Sequence, residues 1–180
     1  MKKPFIVLVS IAVLLSAGLF LMQKDQPKEL GNGKEDITKD LQELTKEELL
    51  SGVKEAGEKE DYALFGRYLK VIYEKGWNKE ADFESVESSV YVKADETYFI
   101  PGDYEKTLEV STMVYNEVPS SWRFLYLRVL ALEKLGRLAL EKNDLKGAEE
   151  YALTILKMTF RFEGTNLLAD VYIRKIEDSL

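Results

Sequence analysis

Gly102-Asp103-Tyr104-Glu105-Lys106-Thr107 and Asn143-Asp144-Leu145-Lys146-Gly147-Ala148 are two versions of one pattern, and their repetition decides the fold. Each opens an amphipathic run. The first run ends in Val118-Pro119, and the second is preceded by Leu132-x-x-Leu135-Gly136. A Leu-Gly pair on one helix, a short Gly/Asn-Asp turn and a small residue on the next helix describe stacked helical hairpins. Such hairpins bury their apolar faces only against neighbours, so they pack in series and offer a surface to a partner.

Working outward, Pro101-Gly102 breaks the chain and Asp103 is an N-cap for a helix to about Glu117. Pro119 closes that unit. Ser120 or Ser121 caps a long helix to about Lys142, Asp144 caps the next to about Phe160, and after Gly164, Thr165 caps a last helix to about Asp178. Upstream, Thr45-x-x-Glu48 is a capping-box signature. It starts a weak helix, with Gly52 inside it and Gly57 at its end. From Glu60 to Lys75 the residues Tyr62, Phe65, Leu69, Ile72 and Tyr73 make a stripe at helical spacing. Gly76 stands where a left-handed C-terminal residue belongs. Lys79 to Phe99 is expected as a third helix through Phe83, Val86, Val90, Ala94 and Tyr98, although Val90-Tyr91-Val92 and Thr97-Tyr98-Phe99-Ile100 are rich in strand formers. The expectation is therefore all-α: seven helices with short loops, three hairpins and a terminal cap, giving an α-solenoid or a bundle.

Composition sets the bounds. A chain of 180 residues with 46% hydrophobic and 32% charged residues supports one well-solvated domain plus appendages. A net charge of −7 without a Lys/Arg cluster argues against a nucleic-acid partner. The absence of Cys and His removes disulfides, thiol nucleophiles, Cys/His zinc sites and imidazole acid–base catalysis. No cofactor, metal site or small-molecule substrate is indicated. Glu80, Asp82, Glu84 and Glu87 form an acidic helix face, which reads as solvated because hard cations want a tight oxygen cage.

The N-terminus carries a different signal. Residues 1–4 are a basic leader with Lys2 and Lys3, and 5–22 are uncharged and predominantly apolar. As a helix this run is roughly 27 Å long, close to the hydrocarbon thickness of a bilayer. It reads as one transmembrane signal anchor. The alternative is a cleaved signal peptide ending at Ser16-Ala17-Gly18, which would release a secreted soluble protein. Residues 23–40, with Pro27 and Gly31-Asn32-Gly33, read as a flexible linker, and 41–180 as the helical domain. The leader favours an extracytoplasmic, periplasmic or extracellular, helical domain, against Lys24, Lys28, Lys34 and Lys39 just beyond the span.

Trp122 to Tyr172 resembles the tetratricopeptide (TPR) family, whose 34-residue repeat reads W-x₂-L-G-x₂-Y, then A-x₃-F, then P. Leu132 stands in the Trp place, Leu135-Gly136 supplies the Leu-Gly pair, Ala139 replaces Tyr, Ala148 falls on the second-helix Ala and Ala152 on the aromatic place. Leu168-Ala169 with Tyr172 echoes Leu-Gly-x₂-Tyr thirty-three residues on, and Asp103-Tyr104, Thr107 and Pro119 fit an earlier second helix. The turns at Gly102 and Asn143 are 41 residues apart, so the helix from Trp122 is too long by about two turns.

The resemblance implies a TPR-like α-solenoid of about three hairpins plus a C-terminal capping helix. It also implies a concave face lined by the first helix of each hairpin. That face would carry Val92, Glu96 and Phe99, then Glu133, Arg137 and Leu140, then Asp170 and Arg174. A mixed surface of this kind suits a peptide segment or helix of another protein. The aromatic residues, Trp122, Phe124, Tyr126, Phe160 and Phe162 among them, read as core and inter-hairpin packing rather than as a peptide groove. The expected function is a non-enzymatic, membrane-tethered interaction scaffold in assembly or maintenance of a cell-envelope or secretion complex. A carboxylate-dependent enzyme is the remaining alternative, and no phosphate loop or nucleophile elbow supports it.

Overall fold

The computed structural model describes residues 40–158 and 161–178. The expected leader, membrane span and most of the linker lie outside the described residues. No helix among the described residues is long and apolar enough to cross a membrane.

The described chain is all-α. Its helices are α1 (Lys46–Glu58), α2 (Tyr62–Glu74), α3 (Ala81–Ala94), α4 (Tyr104–Glu117), α5 (Trp122–Glu141), α6 (Leu145–Lys157) and α7 (Arg161–Glu177). A 3-10 turn, Trp77–Lys79, leads into α3, and a π-turn, Asp95–Phe99, continues it. Strand-forming residues after Val90 thus remain helical, because Val90 and Ala94 are buried at helical spacing.

One turn chemistry recurs three times. Glu60, Gly102 and Asn143 have positive φ values of 58°, 95° and 58°. The following Asp61, Asp103 and Asp144 donate their N–H groups to the carbonyls of Ala56, Tyr98 and Ala139 at 3.0, 2.9 and 2.8 Å. Their carboxylates accept from the N–H groups of Leu64, Lys106 and Gly147 at 3.0, 3.0 and 2.9 Å. Each turn therefore satisfies orphan carbonyls of one helix and orphan amides of the next. The left-handed position suits Gly and Asn. Glu60 is tolerated there with its side chain tied to α3: it accepts from the Tyr98 hydroxyl at 2.7 Å and pairs with Lys93 at 3.1 Å.

These turns make the hairpins α1–α2, α3–α4 and α5–α6, followed by α7. Packing is serial: α1 meets α2 and α3, α2 meets α4, α4 meets α5, α5 meets α6, and α6 meets α7. The first helices also neighbour one another, α5 touching both α3 and α7. Glycines permit the closest approaches. A Cβ at Gly66 would lie 3.3 Å from the Val114 Cα, which sets α2 against α4. A Cβ at Gly136 would lie 2.3 Å from Leu167 Cδ2 and 3.2 Å from Tyr151 Cβ, where α5, α6 and α7 meet. Ala148 and Ala152 on α6 are fully buried.

Two details of the sequence reading are corrected. The last helix begins at Arg161, so Thr165 lies within it rather than capping it. Gly164 is not a breaker but a contact: a Cβ there would approach Leu156 Cγ to 2.8 Å and the Ala152 carbonyl to 3.0 Å. Ser121 holds the N-cap position of α5, yet its side chain makes no capping bond. Its hydroxyl instead donates to Glu87 at 2.6 Å.

The interior divides in two. The larger core joins Leu49, Val53, Phe65, Leu69, Ile72, Phe83, Val110, Val114, Phe124 and Leu127. The smaller cores collect Val129, Leu132, Ala152, Ile155 and Leu167, then Ala139, Ala148 and Val171. α5 contributes to both, its first two turns through Phe124 and Leu127 and the rest through Val129 onward.

Candidate functional site

The residues expected on the concave face fall into three places. Arg137, Leu140, Asp170 and Arg174 line one groove of about 560 Å³ between α5 and α7, joined there by Glu141, Ile173 and Glu177. Glu133 anchors this groove by holding Arg137: Nε donates to Glu133 Oε1 at 3.0 Å, with Nη2 at 2.9 Å from the same oxygen. Arg137 Nη1 donates to Asp170 Oδ2 at 3.3 Å, tying α5 to α7. The hydrogen bond to Glu133 and the nearby Asp170 charge raise the Arg137 pKa, so its charge is fixed.

Val92 and Glu96 line a second depression of about 420 Å³ on α3 with Ser85, Ser88, Ser89 and Lys93. It shares Ser85, Ser89 and Lys93 with a neighbouring groove of about 370 Å³ that reaches Lys54, Gly57 and Glu58 of α1. Phe99 is not part of either. Its ring packs against Tyr104 at 5.4 Å between centroids and leans on the larger core. The π-turn is the local cause, because the i→i+5 bond from Ile100 N–H to the Asp95 carbonyl, 2.9 Å, shifts Tyr98 and Phe99 out of the preceding α-helical register.

Glu141, Ile173 and Glu177 did not come from the family pattern, but helical arithmetic reaches them. Glu141 is four residues from Arg137, and Ile173 and Glu177 are three and seven from Asp170. Charge is uneven along this groove. Arg137 is paired with Glu133 and Asp170, and the same groove is lined by Arg174, the exposed carboxylates Glu141 and Glu177, and the apolar Leu140 and Ile173.

The acidic face of α3 is resolved into separate duties. Glu80 pairs with Lys46 and Glu84 with Arg123. Glu87 is buried and accepts from Tyr73 at 3.2 Å to each oxygen and from Ser121, with Arg123 Nη1 at 3.7 Å. Burial and the Glu87 charge push the Tyr73 hydroxyl up to about 12. This node fastens α2, α3 and the start of α5 together. Trp122 stands exposed beside it, under the Arg123 guanidinium at 4.9 Å.

Comparison of the chain with protein-family models, with curated proteins and with solved structures finds no match.

Proposed function

We propose that this chain is a TPR-like α-solenoid that binds another protein, without catalysis of its own, through the face formed by α1, α3, α5 and α7. The observation that carries this reading is where the grooves lie. Three depressions among the described residues follow successive first helices, two along α1 and α3 and one between α5 and α7. A turn repeated every 41 or 42 residues, at Asp61, Asp103 and Asp144, adds support for serial stacking. The α5–α7 groove suits a segment that lays an apolar side chain on Leu140 and Ile173 and a Lys or Arg toward Glu141 and Glu177. Residues 5–22 would hold the domain at a membrane, on the extracytoplasmic side, as part of an envelope or secretion assembly; signal cleavage would give a secreted binder with the same face.

The test is partner capture by full-length protein carrying a photo-crosslinking side chain at Glu141, followed by affinity measurement on the captured partner. Arg137→Glu is a poor probe, since it would set three carboxylates together at Glu133, position 137 and Asp170. Glu141→Lys reverses a rim charge with no ion pair among the described residues and is expected to weaken binding at least fivefold. Lys146→Glu on α6, exposed and not part of the groove lining, is the silent control. Equal effects of both substitutions would move the interface elsewhere, and substrate turnover lost on a single carboxylate change would replace the binding reading with an enzymatic one.

A further inference from the structure

We infer that Arg128 is the open half of an ion pair, a site that takes an Asp or Glu carboxylate of a partner protein on the side of α5 opposite the α5–α7 groove. The repeat reveals it. Phe83, Val86, Glu87, Val90 and Ala94 are the buried residues of α3. Forty-one residues on, Phe124, Leu127, Arg128, Ala131 and Leu135 hold the same places in α5. The four apolar ones are buried again, and Arg128 is partly buried. An ionisable residue thus recurs within an apolar stripe, with its sign reversed.

Each of the two meets a tyrosine of the preceding helix: Tyr73 for Glu87 and, forty-two residues on, Tyr115 for Arg128. The first node is complete. Glu87 accepts from Tyr73 and Ser121 and has Arg123 Nη1 at 3.7 Å. The second node is not. The Arg128 guanidinium lies over the Tyr115 ring at 4.7 Å, and its Nε–H is closed off from solvent with no acceptor among the described residues. No ion pair among the described residues includes it. The second residue of α5 is Arg123, which serves Glu87, whereas the second residue of α7 is Phe162, which brings no charge. Two arginines of α5 show the consequence. The hydrogen bond to Glu133 raises the Arg137 pKa, while burial lowers that of Arg128, a cation cut off from water and given no anion in return. Such a charge opposes folding until it is paired.

Charge and shape choose the occupant. The flat guanidinium fork matches the two oxygens of a carboxylate. One fork alone holds a free acid weakly in water, so lasting occupancy needs a carboxylate carried on a larger surface. The net charge of −7 resists an acidic run, so the partner presents a single Asp or Glu among neutral or basic residues. Arg128 stands nine residues from Arg137, two and a half turns of helix, and therefore on the opposite side of α5. It lines none of the three depressions assigned to the binding face, so this inference and the groove reading fail separately.

The test starts from full-length protein in detergent, labelled with nitrogen-15 in arginine. Acetate replaces chloride at constant ionic strength while the Arg128 Nε–H signal, identified by its loss in Arg128→Met, is followed by NMR. That signal is expected to shift saturably and about five times further than the signal of Arg137, which Glu133 already holds. No shift, or equal shifts at both, overturns the inference, and an equal response to inorganic phosphate removes the carboxylate assignment. Arg128→Met, which keeps a stem over Tyr115, is expected to melt no lower than the parent. A fall of several degrees would mean that the chain supplies its own anion, and overturns the inference as well. For the source, full-length protein carrying Arg128→Lys in its own cells is treated with a carbodiimide, which joins an amine to a carboxylate in contact. Peptide mapping is expected to find position 128 joined to an Asp or Glu of another protein; position 128 joined within this chain, or left free, overturns the inference.

Discussion

The two ends of the molecule use the same turns and different fillings. In the region from α1 to the start of α5, rings occupy the interior: Phe65 lies 5.7 Å from Phe124, Tyr91 meets Phe124 edge-on at 6.4 Å, and Phe83 stacks on Trp77. From Val129 onward the interior is Ala139, Ala148, Ala152, Gly136 and Gly164 with branched aliphatics between them. Large rings fill a groove between helices held apart, whereas small residues let backbones approach. A shared turn therefore fixes the path of the chain without fixing how its core is filled. α5 is the joint between the two solutions.

The sharpest way to break this comparison is Phe124→Ala, which removes the ring common to three helices. A loss of about 3–5 kcal/mol is expected in urea unfolding. Hydrogen exchange should show the deprotection concentrated in α2, α3 and the first turns of α5, with α6 and α7 less affected. Equal deprotection throughout would show that the two interiors unfold as one unit. Next in size is Glu87→Ala, which leaves Tyr73 and Ser121 without their buried acceptor and Arg123 with Glu84 alone. About 3 kcal/mol is expected, and Glu87→Gln should recover part of it by keeping an acceptor for the two hydroxyls. A stability change below about 1 kcal/mol would mean that water replaces the carboxylate and that the node does not bind the helices together.

A smaller contrast comes from two glycines. Gly136→Ala drives its methyl into Leu167 and Tyr151, whose positions α6 and α7 fix, and overpacking there should destabilise by about 1–3 kcal/mol. Gly52→Ala meets only the ring end of Tyr68, 2.4 Å from Cζ. That ring can swing aside, and the gain in helix propensity of about 1 kcal/mol then offsets the disturbance. Thermal melts should separate the two by at least several degrees. Equal melting shifts would remove the distinction between the tight and the adaptable region.

The contrast also explains what the sequence disclosed. All-α character was legible throughout, because helical spacing and Asp, Thr and Gly punctuation survive any choice of filler. Leu135-Gly136 and Ala148 stood out because close approach permits few residue types. Phe65 and Thr107 fill the place of Ala148 in the other hairpins, so nothing there signals equivalence. The first turn escaped notice for a related reason: Lys59-Glu60-Asp61 lacks the Gly or Asn of its counterparts, and only Tyr98 and Lys93, more than thirty residues away, show why Glu is accommodated. Gly164 misled, since a glycine that breaks a helix and one that admits a neighbour look alike in sequence. Of the candidate face, Arg137, Leu140, Asp170 and Arg174 share a groove, while Phe99 was displaced by a π-turn that no residue pattern announces.

The smallest predicted effect depends on pH. Each region holds carboxylates below their usual range, Glu60 with Glu48 and Glu55 in the first and Glu149 in the second. Glu60 is held by the Tyr98 hydroxyl and then Lys93, and Glu149 on α6 by Lys175, with Tyr172 adding a weaker bond. Both favour the folded state when ionised, so their contribution is present above the ordinary carboxylate pKa and is lost as pH falls through the depressed folded value. Asp95, at the start of the π-turn, runs the other way. Partial burial and the neighbouring Glu96 raise its pKa, so folding favours its protonated form and its charge opposes folding at neutral pH. Asp95→Asn should therefore stabilise the protein at pH 7, by no more than about 0.5 kcal/mol for a side chain that is only partly buried. Near pH 3, where Asp95 is protonated in both states, the same substitution should have little effect. Glu60→Gln should destabilise at pH 7 and converge on the parent at low pH. Urea titrations of both variants at the two pH values check the signs, and a stabilisation by Asp95→Asn that persists at pH 3 would assign the effect to packing in the π-turn instead of to charge.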